Sequence, residues 1–374
     1  MASYKLGPQF PPWLQTQKHV ETLVISNANI SNIVPDWFRN LYSRINLLDI
    51  SHNQICGKLP KFQESNVTVT QIFLNSKKFE GPLTPFLSHV TELDFSDNLL
   101  SSDFPLVDDN IYKSFMFLKL SNNNLTGDIP KYICEMRDLQ ILDLSKNKLS
   151  GTLPWCNGKL QELCVLDLKN NNLVGDIPSS LGSLTLLNSL HLRNNMLHGK
   201  IPSSLQNLKY LRILDLDISN NQIVGEIPEE LMDLTGLLSF NASKSHLNGR
   251  IPKKIGNMKT LESPDLSRNK LSGSIPPSLS SCHGDTSSDI GHHDPHVPKS
   301  NDEEDESERL AFYTAIGPGF LVGFLAICGI LHFKKSWRYA WFQFVENTYN
   351  NLLVAVIVKA GWVRRKFHKD EMGG

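Results

Sequence analysis

The sequence predicts an α/β solenoid in which short strands stack into one parallel, concave sheet, followed by a single membrane-spanning helix. Three features predict it. The segment LDLSKNKLSGTLP, residues 142–154, recurs as LDLKNNNLVGDIP ending at Pro178 and as LHLRNNMLHGKIP ending at Pro202. Pro130, Pro154, Pro178 and Pro202 stand 24 residues apart. Further on, residues 310–333 form a run of 24 positions without a formal charge, acidic ahead of it and basic behind it.

Further copies end at Pro228, after a two-residue insertion, and at Pro252 and Pro276; weaker ones end at Pro35, Pro60, Thr84 and Pro105. That makes eleven copies over residues 20–281. In LxxLxLxxN the leucines alternate and point inward, while the residues between them face solvent. One such strand cannot bury its apolar side alone, so neighbouring coils must pair and close a continuous core. The Asn after the strand stands where the chain turns, and its amide can satisfy backbone groups that no ladder reaches. It is present in eight of the eleven copies, at Asn53, Asn98, Asn123, Asn147, Asn171, Asn195, Asn221 and Asn269. The Gly of GxIP permits a turn that a side chain would obstruct, and the Pro fixes φ where no donor is needed.

The departures carry their own expectations. Ala28, Lys77 and Ser245 replace the turn Asn in repeats one, three and ten. Ala242 and Pro264 stand at inward Leu positions, and a proline in a ladder removes a donor, so the last two repeats should pack less well. The two extra residues of LDLDIS should bulge between Leu216 and Ser219.

At 1.5 Å per residue, residues 310–333 make a helix about 36 Å long, enough for a hydrocarbon core of about 30 Å. Residues 285–309 hold nine acidic and two basic side chains, and from Lys334 onward eight basic face three acidic. The positive-inside rule therefore puts the 41-residue tail, 334–374, in the cytoplasm and the repeats outside. Ala315, Gly319 and Gly323 share one helix face, a small-residue stripe that lets a second helix approach. The expected organisation is a partial repeat at 1–19, the array at 20–281, an acidic linker at 282–309, the span and the tail.

A net charge of -1 argues against nucleic acid, which needs a concentrated basic face. Six scattered cysteines are too few for a small disulfide scaffold, but Cys134 and Cys156 fall on the returning side of adjacent coils, where a bridge is plausible. No Ser/His/Asp or Cys/His set stands at recognisable spacing, and the histidines of the linker lie in a Gly/Pro/Asp-rich stretch. The expectation is accordingly neither an enzyme nor a holder of metal or cofactor. Four sequons occur, at Asn29, Asn66, Asn124 and Asn241. On the concave side, Lys169, His191 and Arg193 stand where other repeats place residues such as Ser121 and Ser145, which makes them candidates for ligand contact.

The L-x-G-x-I-P form resembles the plant extracellular class of leucine-rich repeats. With the acidic linker, the span and the tail WRYAWFQFVENTYNNLLVAVIVKAGWVRRKF (337–367), the chain is very similar to plant receptor-like proteins of the ethylene-inducing-xylanase-receptor and Cf types. The resemblance implies 3₁₀ turns and a second short sheet line on the returning side. It also implies a single-pass plasma-membrane glycoprotein that perceives an extracellular protein, peptide or glycan in defence. Signalling would pass through a receptor-like kinase co-receptor reached by the membrane helix, since the tail is too short for a kinase. The family's leader and cysteine-paired caps have no counterpart in the sequence, so the chain is expected to be part of a longer receptor. Developmental peptide signalling, a soluble-type enzyme inhibitor and a decoy fragment stand as alternatives.

Overall fold

The computed structural model describes residues 5–42, 45–59, 69–75, 78–83, 90–105, 115–154, 156, 158–208 and 215–282. They belong to the first of two compact units, residues 1–289. Eleven three-residue strands, numbered here with their repeats, pair in chain order into one wholly parallel sheet. They are β1 Thr22–Val24, β2 Leu47–Asp49, β3 Gln71–Phe73, β4 Glu92–Asp94, β5 Phe117–Lys119 and β6 Ile141–Asp143. After them come β7 Val165–Asp167, β8 Ser189–His191, β9 Asp215–Asp217, β10 Ser239–Asn241 and β11 Ser263–Asp265. Register is strict: Leu118 opposes Leu142, which opposes Leu166, which opposes Leu190.

The inward leucines make the core. Leu142 is 3% exposed and Leu144, two residues on, is 0% exposed. The chain then turns through a left-handed residue, such as Lys146 at φ 54°, and in the coils that carry it the turn Asn closes the turn. Asn147 Nδ2 donates to the carbonyls of Leu120 (2.9 Å), Leu144 (3.1 Å) and Ser145 (3.2 Å), and its Oδ1 accepts the Leu125 N–H at 3.0 Å. Asn171 repeats the pattern one coil later, binding Leu144 O and accepting from Leu149 N. Ser245 is too short to do this. Its buried hydroxyl has no hydrogen-bond partner among the described residues, so the ladder has a gap at repeat ten.

The returning side is built from five-residue 3₁₀ turns, for example Lys131–Glu135, Ser179–Ser183 and Ser203–Asn207. The Pro of GxIP caps each in an extended conformation, as Pro178 does at φ -66° and ψ 135°. Between strand and turn runs a second, interrupted sheet line, including Val174–Asp176 beside Met196–His198. Here Gly151 takes φ +69°, and a Cβ on it would stand 2.2 Å from an Asp128 carboxylate oxygen. Cys134 is bonded to Cys156 across adjacent coils, with Cα atoms 4.9 Å apart.

Two expectations need correction. No bulge separates Leu216 from Ser219: Leu216 opposes Leu190 and Asp217 opposes His191 in unbroken register. Leu216 and Ile218, both 0% exposed, hold the inward positions, so the insertion falls ahead of Asp215. Nor does Pro264 break its ladder. Inward residues turn their N–H toward the following strand, as Leu144 N donates to Asp167 O and Ala242 N to Asp265 O, both at 2.9 Å. Pro264, opposite Phe240, therefore lacks a donor only on the side facing away from β10. Repeat ten is closed, with Phe240, Ala242 and Leu247 at 0% exposure, whereas Ile275 of repeat eleven is 68% exposed.

Among the described residues no helix is long and apolar enough to cross a membrane. The expected span 310–333, with Ala315, Gly319 and Gly323, lies outside them, as do the tail and nearly all of the linker.

Truncating Leu144 to Ala should cost about 2–5 kcal/mol of stability through lost burial and a residual cavity. Lys146→Ala, two residues away on the surface, should stay within about 0.5 kcal/mol. Urea unfolding of the two variants checks this; equal losses would mean that the inward register of β6 is wrong.

Candidate functional site

Strict pairing turns the concave face into a grid. Each coil offers three outward residues in fixed columns, such as Ile141, Asp143 and Ser145 in repeat six. The middle column runs Asp143, Asp167, His191, Asp217, Asn241, Asp265 across β6–β11. Most of its carboxylates have a local task. Asp143 Oδ1 accepts the backbone N–H of Ser145 at 3.0 Å and its hydroxyl at 2.7 Å. Asp49 with Ser51 and Asp94 with Ser96 do the same, and Asn241 with Ser243 supplies an amide oxygen instead. This acidic stripe closes turns.

Repeats seven and eight abandon the device. Lys169 replaces the serine, and Asp167 Oδ1 keeps only the Lys169 N–H at 3.1 Å. In repeat eight both partners change, to His191 and Arg193. What results is a charged cluster over three strands. His191 Nδ1 lies 3.4 Å from Asp167 Oδ2, and its Nε2 lies 3.4 Å from Asp215 Oδ2. Lys169 Nζ stands 3.1 Å from the same Asp167 oxygen. Arg193 is exposed, in the column that Lys169 occupies on one side and Ser219 on the other.

The titration behaviour follows from this layout. Burial alone would lower the His191 pKa, but hydrogen bonds and charge from Asp167 and Asp215 raise it to about 9. Burial would raise Asp167 and Asp215, and His191 outweighs it, holding both below the usual carboxylate range. Asp143 has no such cation: burial, then the neighbouring Asp167, push its pKa up.

Ser189, His191 and Asp167 come together in the order of a hydrolase triad, with Ser189 Oγ 3.3 Å from His191 Nε2. The set lacks the required properties. Ser189 is 1% exposed, and an imidazole already protonated at neutral pH cannot take a proton from it.

Of the ligand-surface candidates, the fold thus joins Lys169 and His191 through Asp167 and leaves Arg193 open to solvent. Sequence reasoning missed Asp167 and Asp215, because their value lies in flanking His191 from neighbouring coils. The one available signal was the first acidic residue, Asp215, in the Leu-Asp-Leu-Asp of repeat nine. The sequon residue Asn29 is exposed at φ 59°, Asn124 is half-buried on the outer turn, and Asn241 lies within concave strand β10. Asn66 falls outside the described residues.

The leucine-rich-repeat model matches residues 19–41, 114–136, 138–160, 162–184, 186–208, 210–234 and 265–282. Among curated relatives, receptor-like protein EIX2 of Solanum lycopersicum is 32% identical over 142 residues, 38% of this chain and 14% of that protein. The chain therefore matches a minor part of this relative's length. Two solved structures share the fold. The ectodomain of the Arabidopsis receptor kinase HAESA, in complex with an IDA peptide hormone, has a TM-score of 0.63 at 30% identity. It covers 70% of this chain and 44% of its own. The ectodomain of the Arabidopsis thaliana membrane receptor kinase GASSHO1/SCHENGEN3, in complex with CASPARIAN STRIP INTEGRITY FACTOR 2, has a TM-score of 0.62 at 27% identity. It covers 73% of this chain and 36% of its own.

The His191 clamp yields a pH prediction. Its pKa rises from 6.5 to about 9 on folding, so its stabilisation is complete below about pH 6.5 and is lost as pH climbs through 9. His191→Gln should cost on the order of 2 kcal/mol at pH 6, and the gap from wild type should close by about pH 10. Denaturation midpoints across that range provide the check; a pH-independent gap would mean that His191 contributes packing and not charge.

Proposed function

The chain is a leucine-rich-repeat protein related to the plant receptor-like proteins, and from that premise we propose that it is the ligand-perceiving part of a membrane-anchored receptor without a kinase of its own. Its concave face binds an extracellular peptide or a segment of an extracellular protein, in defence signalling, and a partner receptor kinase carries the signal inward. One observation carries the ligand face. The Asp-x-Ser device recurs along the sheet because it closes turns; repeats one, three and five lack its aspartate, but repeats seven and eight replace its members with the charged side chains of Lys169, His191 and Arg193. At Arg193 the repeat's structural rule is broken for a solvated guanidinium, the kind of local conflict expected where a surface serves binding. The carbonyl and carboxylate groups of a peptide are fitting partners for such a donor.

The similar ectodomains in complex with a peptide hormone and with an integrity factor support a ligand of this class. Anchoring rests on the uncharged run 310–333 with its acidic and basic flanks. Partner contact is assigned to the stripe Ala315, Gly319 and Gly323, where small side chains allow helices to pack closely.

The test expresses the chain in leaf cells with a secretory leader fused before Met1 and challenges it with fractionated microbial culture filtrate. The oxidative burst and the co-precipitation of receptor kinases are recorded. Arg193→Glu should raise the filtrate dose needed at least about tenfold, equivalent to about 1.4 kcal/mol of lost binding. Replacing Gly319 and Gly323 together by Leu should abolish kinase recovery while leaving surface expression intact. A response indistinguishable from cells lacking the chain would refute the receptor reading, and unchanged kinase recovery would remove the helix stripe from it.

A further inference from the structure

The turn-closing device on the concave face needs one acceptor oxygen and a serine two residues later. Aspartate supplies the oxygen in repeats two, four and six. In repeat ten the residue is Asn241, whose Oδ1 accepts the Ser243 N–H at 3.1 Å and the Ser243 hydroxyl at 2.9 Å. Exchanging Asp for Asn keeps the acceptor and changes only the second atom of the head group, from oxygen to Nδ2. Asn-Ala-Ser is thereby also an acceptor sequence for N-linked glycan. We propose that Asn241 carries such a glycan, and that the sugar covers the concave face of the last two repeats.

Three features of the site support this. Asn241 stands in an outward column, half-buried, and its Nδ2 makes no hydrogen bond among the described residues. The glycosidic bond would form at that nitrogen and leave the turn-closing oxygen untouched. The side chains around it are short: Ser239 and Ser243 along the strand, with Asp217 and Asp265 opposite it on the flanking strands. The middle of the sheet, by contrast, carries Phe117, Lys119, Ile141, Lys169, His191 and Arg193. A sugar fits over the serine floor where it would not fit over the charged cluster.

Timing follows from burial. Ser243 is 4% exposed once the repeat has closed, and its hydroxyl is engaged by Asn241. Modification must therefore precede closure of repeat ten, while the chain enters the secretory lumen. Afterwards the glycan projects from the concave side, unlike any sugar on Asn29 or Asn124, which stand on outer turns.

The inference rests on the extracellular reading of the repeats, and the experiment separates the two. The full chain with a fused leader is purified from plant cells, and glycopeptide mass spectrometry reads occupancy at Asn29, Asn124 and Asn241. Asn241 should be modified, and Asn241→Asp should lose one glycan with an unchanged thermal midpoint, because the acceptor oxygen is retained. Carbodiimide labelling of Asp265 should rise after enzymatic removal of the sugar. An unmodified Asn241 beside a modified Asn29 or Asn124 would overturn the proposal and leave the extracellular reading standing. No modification at any of the three would overturn both, and unchanged Asp265 labelling would overturn the covering role.

Discussion

A coil of about two dozen residues cannot satisfy its own turn. The chain leaves the strand with carbonyls and N–H groups buried and unmatched, and neither the concave ladder nor the 3₁₀ turn reaches them. The carboxamide of the turn Asn reaches them, because it has two donors and an acceptor on one short stem. Asn147 binds backbone of its own coil and of the coil before it in the same head group. Leaving a buried polar group unmatched costs about 1–3 kcal/mol, so this residue fixes both the turn and the spacing to its neighbour. Packing of the leucines depends on that spacing, since stacked coils must share a core that none of them encloses alone.

Fixed spacing has a consequence on the opposite face. When every strand meets its neighbour in register, outward residues fall into columns and side chains 24 residues apart become contacts. That is how Asp167 meets His191, while Asp215, in the adjoining column two residues before Asp217, reaches the imidazole diagonally and extends the ionic chain across three coils. The arrangement keeps the imidazole charged and the carboxylates ionised, so this part of the face has a stable charge pattern at neutral pH. A ligand meeting it would find a pattern set by the scaffold, with Arg193 the exposed cation to compete for.

The same columns separate structural polarity from functional polarity. A count of acidic residues on the concave face would suggest a surface for basic partners. Hydrogen bonding shows that Asp49, Asp94 and Asp143 spend an oxygen on the turn two residues later. Departures from that habit are therefore more informative than the charges themselves; Val24, Phe73 and Lys119 simply lack the aspartate, whereas Lys169, His191, Arg193 and Asn241 put other polar chemistry in its place.

The architecture was legible in the sequence because each coil repeats a local rule. Inward Leu, turn Asn, Gly at positive φ and a capping Pro depend on residues within one period, and adjacent periods differ little. Periodicity therefore determined the sheet, its order and the eight turn amides before any coordinates. It could not determine where the insertion of repeat nine falls, because Leu216 and Ile218 compete with other leucines for the inward sites and only packing decides. Nor could it show that Pro264 is harmless, which depends on the side to which an inward amide points. The clamp around His191 was likewise decided by tertiary structure, since it depends on partners a full coil away in the chain, whereas the outward place of Asn241, between inward Phe240 and Ala242, follows from the local alternation.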